Sequence, residues 1–209
     1  FDTPLTADCK FTNAGPGLSV TSEQGAFAPS ANPRLPYSDA KAVREYHHAF
    51  ARHPCEHSST AGSLTQPDNE PCIFPYPFPA GGWDMYFCRR FSNGTASCPT
   101  ASGVGRCSAG KYGAVKLTPS SGSDFTYYAN VLQSSSPRQC LDFYYYITDT
   151  SGNARMELTW ETDEDVDAIV EVTAVDNENK WQHRRVSFDV TAGITAYKVR
   201  QRDDWRRMV

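Results

Sequence analysis

The sequence predicts an antiparallel β-sandwich over residues 110–209, preceded by a cysteine-rich and mostly irregular segment, residues 1–109, that carries one short helix. Three observations predict it. Beyond Gly110, apolar and polar residues alternate with the period of two that a half-buried strand requires. Turn-forming clusters separate these runs at the spacing of a sandwich. Five of the seven cysteines fall between positions 55 and 107, in a stretch of Pro, Gly and Ser with too few apolar positions to hold a shape without crosslinks.

Taken in order, residues 1–37 show little periodicity and many Pro, Gly, Ser and Ala residues, so they read as extended chain or loop. Residues 38–53 read as the helix. Ser38 caps its first turn, Asp39 suits the positive end of its dipole and Pro54 stops it, while Val43, Tyr46 and Phe50 share one face. Residues 54–109 read as irregular. The run from Ile73 to Pro79 has a proline at every second position, which excludes it from a central strand.

The sandwich strands come next. Leu141, Phe143, Tyr145 and Ile147 alternate with Asp142, Tyr144, Tyr146 and Thr148, and residues 149–153 form a turn. Met156, Leu158 and Trp160 alternate with Glu157, Thr159 and Glu161. Further strands are expected over residues 168–175, 186–190 and 194–199, with polar turns between them. The two parts are read as a cysteine-rich segment packed on the sandwich, or partly belonging to it within a single domain.

Composition narrows the function classes. Hydrophobic residues at 39% and aromatics at 12% suffice for a core. A net charge of −4 gives no electrostatic reason to expect nucleic acid as a partner. No apolar run approaches the ~18 residues that span a bilayer. The first residues, Phe1-Asp2-Thr3-Pro4, have neither the basic nor the apolar region of a signal peptide, so a secreted chain would be the mature form. Cys9, Cys55, Cys72, Cys88, Cys98, Cys107 and Cys140 are read as a disulfide framework, with at least two bridges expected among residues 55–107. No pair has the C-x2-C or C-x4-C spacing of a zinc ribbon or finger. Seven is odd, so one thiol is free, paired between chains or separated from its partner. Asn93-Gly94-Thr95 is an N-glycosylation sequon in a loop. Cysteines and sequon together point to a secreted or cell-surface protein.

Gly110-Lys111-Tyr112-Gly113, then Ala129-Asn130-Val131-Leu132-Gln133-Ser134, then Cys140-Leu141-Asp142-Phe143-Tyr144-Tyr145 form a sequence of motifs that resembles the MAM domain family. Trp181-Gln182 followed by Val186-Ser187-Phe188 extends the resemblance, which is clearest over residues 110–199, and Cys9-Lys10-Phe11 is similar to the family's opening motif. The resemblance implies a jelly-roll sandwich that mediates adhesion or dimerisation and is not catalytic. The chain departs from the family in two places. Residues 30–109 are longer and richer in cysteine, and Asp203-Asp204-Trp205 is a distorted version of the closing strand. In the family the counterpart of Cys140 pairs with a terminal cysteine that has no match here. Cys9 is then one alternative partner. The sheet would be completed by residues 1–12, by residues 200–209, by a segment beyond Val209 or by a neighbouring molecule.

Few residues suggest chemistry. His47, His48, His53, Cys55 and His57 are close in sequence, but the helical spacing puts His48 and His53 on different faces, and the cluster reads as a solvated helix end. Asp163, Glu164, Asp165 and Asp167 are candidate ligands for a structural calcium ion, without the D-x-D-x-D-G frame, and no cofactor is required. Tyr127, Tyr128, Tyr144 and Tyr146 are candidate binding aromatics, with a second buried sheet face as the simpler reading. No nucleophile elbow or Ser-His-Asp motif is present, so the chain is not expected to be an enzyme. The expected role is an extracellular binding or adhesion module that associates with itself or another protein. A structural subunit of a matrix, coat or fibre is the first alternative, and a lectin-like glycan binder the second.

Overall fold

The computed structural model describes residues 11–13, 19–20, 65–77, 84–91, 93–107, 112–114, 124–130, 137–147, 154–162, 166–175, 180–190 and 196–203. These residues form strands, turns and extended chain in several antiparallel sheets, an all-β arrangement compatible with a sandwich. The expected helix over residues 38–53 lies outside them.

The larger sheet has the order β1 (Phe11–Asn13), β9 (Asp124–Asn130), β14 (Ala196–Asp203), β11 (Ala154–Glu161) and β12 (Val166–Thr173). Its two faces follow from the period-two pattern. Cross-strand register aligns Met156 with Val172, Leu158 with Val170 and Trp160 with Tyr197. Leu158, Trp160 and Val172 are buried on this inner face. Burial of such side chains contributes about 1.5–3 kcal/mol each. The other face is charged: Arg155 pairs with Glu171 at 3.5 Å and Lys198 pairs with Glu161. Between Leu158 and Thr159 the register slips, so that Ile169 is the extra residue of a bulge.

The last strand corrects the sequence reading in two ways. It runs from Ala196 to Asp203 rather than ending at Val199. Gln201 and Asp203 take the positions where the alternation would demand apolar residues, which hid the strand's second half. Strand β14 is also interior, hydrogen-bonded to β9 on one side and β11 on the other. The free edge of β9 is taken by β1, with Phe11 opposite Ala129.

Strands β10 (Arg138–Tyr145) and β13 (Gln182–Asp189) form a second antiparallel pair, in register from Arg138–Asp189 to Tyr145–Gln182. Phe188 of β13 meets Tyr197 of β14 edge to face, with centroids 6.1 Å apart, and this contact joins the two sheets.

Residues 65–107 are more regular than their composition predicts. Strands β5 (Arg89–Arg90), β6 (Ala96–Thr100) and β7 (Gly103–Arg106) form a three-stranded sheet, with β3 (Tyr76–Pro77) pairing β4 (Asp84–Met85) beside it. The proline-rich run supplies just the two residues of β3, and the Gln66–Pro67 and Phe74–Pro75 peptides are cis. Cys72–Cys98 and Cys88–Cys107 are disulfides, as expected for this stretch. The bridges offset a small core. Met85 and Phe87 are fully buried, and Cys88, Ala96 and Cys98 form the neighbouring cluster. Strands β2 (Ser19–Val20) and β8 (Gly113–Ala114) form a further short pair.

Aromatic contacts join the cystine segment to residues at and beside the β10–β13 pair. Phe87 packs edge-on against Tyr146, Tyr146 against Trp181 and Trp181 against Tyr112, at centroid distances of 6.4, 5.5 and 5.4 Å. Lys180 lies over the ring of Tyr86 at 5.6 Å.

Candidate functional site

One face of the β10–β13 pair carries an ordered polar and aromatic strip. Cross-strand register sets Asp142 opposite Arg185 and Tyr144 opposite His183, so the four side chains share a face. Both oxygens of Asp142 are occupied. Oδ1 lies 2.7 Å from His183 Nε2, and Oδ2 accepts from Arg185 Nε at 2.9 Å and from Nη2 at 2.7 Å. The His183 ring stacks on Tyr144, with centroids 4.4 Å apart and planes within 10°. Partial burial pushes the Asp142 carboxyl up, but hydrogen bonds and charge from His183 and Arg185 outweigh it and hold the group below its ordinary value. The side chains stay accessible, with Asp142 at 41%, His183 at 32% and Arg185 at 29% exposure.

The strip ends against the aromatic junction. Tyr146 belongs to the same face two residues beyond Tyr144, but it is packed between Phe87 and Trp181. Tyr144 stacks on a histidine, and Tyr146 joins two parts of the fold. Beside them, the buried Tyr112 hydroxyl is pushed up to about 12 by burial. Tyr127 and Tyr128 lie in β9 in register with Val199 and Lys198.

A second constellation lies in the cystine segment. The Sγ atoms of Cys72, Cys88, Cys98 and Cys107 all lie within 4.8 Å of one another. Cys72 Sγ and Cys88 Sγ, which belong to different bridges, are 4.0 Å apart. Cys88 and Cys98 are buried, while Cys72 and Cys107 are half-buried. Sequence reasoning set a shared metal aside because no pair had a zinc-knuckle spacing. The three-stranded sheet brings the sulfurs together without one. Cys140 is also disulfide-bonded, and Cys9 and Cys55 lie outside the described residues.

The other candidates separate. Asp163, Glu164 and Asp165 lie outside the described residues. Asp167 is exposed on β12, where its Oδ1 accepts the N–H of Ala168 at 3.0 Å. Asn93 is exposed at a tight turn, and its Oδ1 accepts from both the N–H and the hydroxyl of Thr95, at 3.0 and 2.7 Å. Gly94 takes a φ of 83° there, which a side chain would strain. Three large apolar side chains of the cystine segment, Ile73, Phe91 and Val104, are exposed, with Arg89 over the Phe91 ring at 4.8 Å. Among the described residues no helix is long and apolar enough to cross a membrane. Compared with protein-family models, with curated proteins and with solved structures, the chain matches none.

Proposed function

We propose that the chain is a secreted or cell-surface binding module, non-catalytic, that associates with itself or another extracellular protein through the Asp142–Tyr144–His183–Arg185 face. The fold we infer is a jelly roll of the MAM type. The observation that carries the reading is that strip: its groups are accessible, chemically mixed and fixed by one another. Order before binding reduces the entropy a contact must overcome. The disulfides fit an oxidising compartment.

The experiment is bead clustering and cell-surface binding by the immobilised chain. We expect clustering or surface binding that is lost in the His183→Ala/Arg185→Glu variant while its melting transition stays cooperative. Equal binding by variant and parent would refute the assignment of this face. The odd cysteine count supports a second reading, a crosslinked matrix or coat subunit. Covalent multimers on a non-reducing gel would favour that reading over reversible adhesion.

A further inference from the structure

We propose that, when both bridges of the cystine segment are reduced, Cys72, Cys88, Cys98 and Cys107 form a tetrathiolate site for zinc. A tetrahedral zinc site with Zn–S bonds of about 2.3 Å has sulfur–sulfur edges of about 3.8 Å. The four sulfurs already lie within 4.8 Å of one another, and the Cys72–Cys88 edge is 4.0 Å. The two bridged edges must open from about 2.05 Å by roughly 1.7 Å, and the wider edges, none beyond 4.8 Å, must close by up to about 1 Å.

The backbone that presents the sulfurs does not depend on the bridges alone. Cys98 is held in β6 opposite Gly105. The Cys107 N–H donates to Ala96 O at 3.0 Å, and Ile73, next to Cys72, donates to Pro99 O at 2.8 Å. Arg89 and Arg90 follow Cys88 in the chain and Arg106 precedes Cys107, so cationic residues neighbour the thiolates the site requires. A metal crosslink would supply the constraint that the bridges gave.

The chemistry balances with a dithiol as reductant. For each bridge, one thiolate of the dithiol attacks a cysteine sulfur and forms a mixed disulfide. That step expels the other cysteine as its thiolate; the second thiol of the reductant then attacks the mixed disulfide, expels the first cysteine and leaves as a cyclic disulfide, having given two electrons. The four cysteine thiols release their protons to solvent as four Zn–S bonds form. The oxidised and zinc-bound forms exclude one another, so the site exists in a reducing compartment or before oxidation.

The test reduces the chain anaerobically with dithiothreitol, removes the reductant and titrates zinc chloride alone. Native mass should show one zinc per chain. Iodoacetamide mapping should show Cys72, Cys88, Cys98 and Cys107 protected by at least about tenfold relative to the zinc-free chain, in proportion to the bound fraction. The Cys98→Ser variant should lose protection at the other three. No zinc uptake would overturn the proposal, as would aggregation that zinc does not prevent. So would zinc uptake that protects Cys9, Cys55 or Cys140 and leaves these four reactive, the result expected if the histidines near position 50 held the ion.

Discussion

Gly105→Ala should destabilise the cystine segment by about 3 kcal/mol, the upper end of the range for overpacking. Strand β7 passes directly over Thr65, which is 1% exposed. A Cβ at position 105 would lie 2.5 Å from both Cβ and Oγ1 of Thr65 and 2.7 Å from Cγ2 of Thr100. Carbon atoms make contact at about 3.5–4.0 Å, so the overlap is about 1 Å in two directions. Thr65 has little room to yield. Its Oγ1 donates to Glu70 O at 2.9 Å, and the adjacent Gln66 exchanges two backbone hydrogen bonds with Arg106 at 2.9 and 3.0 Å. Relief therefore costs one hydrogen bond, worth about 1 kcal/mol, or opens this bridge as well. With a urea m-value of about 1–3 kcal/mol/M, the unfolding midpoint should fall by roughly 1–3 M. Thr65→Ser should not rescue the variant, because serine keeps both clashing atoms. Thr65→Gly should recover part of the loss, the contact with Thr100 Cγ2 remaining, and a double-mutant cycle should show favourable coupling between the two sites. An unchanged midpoint for Gly105→Ala, or strictly additive effects with Thr65→Gly, would refute the close approach.

Replacing Cys88 and Cys107 by alanine releases a crosslink of sequence separation 19, worth at most about 3 kcal/mol of loop entropy because the Cys72–Cys98 bridge already shortens that loop; hydrogen exchange at the Cys107 and Phe91 amides should accelerate by one to two orders of magnitude, and unaltered protection would count against it. Burial raises the Tyr112 hydroxyl to about 12; because the unfolded phenol ionises near 10, this contribution of about 3 kcal/mol is complete below pH 10 and is lost as pH rises towards 12. Tyr112→Phe should flatten that alkaline loss in a pH series of urea midpoints, and a parallel decline in both proteins would exclude Tyr112 as its source. The depressed Asp142 carboxyl works in the opposite direction: its contribution is present above the ordinary aspartate range and is lost as pH falls through its lowered value. Asp142→Asn should therefore cost about 0.5–1 kcal/mol at neutral pH, discounted for solvent exposure, and almost nothing in strong acid; an equal cost at both would show that its charge is irrelevant. Asn93 should carry a glycan when a eukaryotic secretory host makes the chain, and a homogeneous unmodified peptide mass would contradict this.

Where the sequence was legible, one face of a strand was apolar. The alternation around Leu158 and Trp160 gave β11, the run over residues 168–175 overlapped β12, which starts and ends two residues earlier, and the Val186–Phe188 pattern gave β13. Each places its apolar residues towards a buried layer, and that requirement writes the period-two signal. Strand β14 was read half its length, because its final residues are polar, while its place is set by hydrogen bonding on both sides. The cystine segment was legible in its crosslinks and not in its sheet. Strands β5 and β7 are short and rich in Arg and Gly, and their pairing is fixed by bridges between residues far apart in the chain. The Asp142–His183–Arg185 strip was missed for a related reason. Its members are 41 and 43 residues apart in sequence, and nothing local to either strand marks their register. The alternating tyrosines of β10 were visible, but the pattern could not separate Tyr144 on the open face from Tyr146 at the junction.

The interior position of β14 has a kinetic meaning. It follows every other described strand in the chain, yet it supplies the middle of the larger sheet, between β9 and β11. During synthesis, β9 and the β11–β12 hairpin emerge with facing edges that have no mutual partner, and they must wait for β14 before the sheet can close. Ordering of this kind makes folding slow, since the loop entropy is lost before the long-range pairs form. It also leaves two strand edges open to neighbouring nascent chains. The charged outer face, with Arg155, Glu157, Glu161 and Glu171 flanking those edges, opposes such pairing in the interval. A ribosome-stalling series should therefore show protease resistance of the larger sheet appearing abruptly, once Asp203 has cleared the exit tunnel, rather than strand by strand.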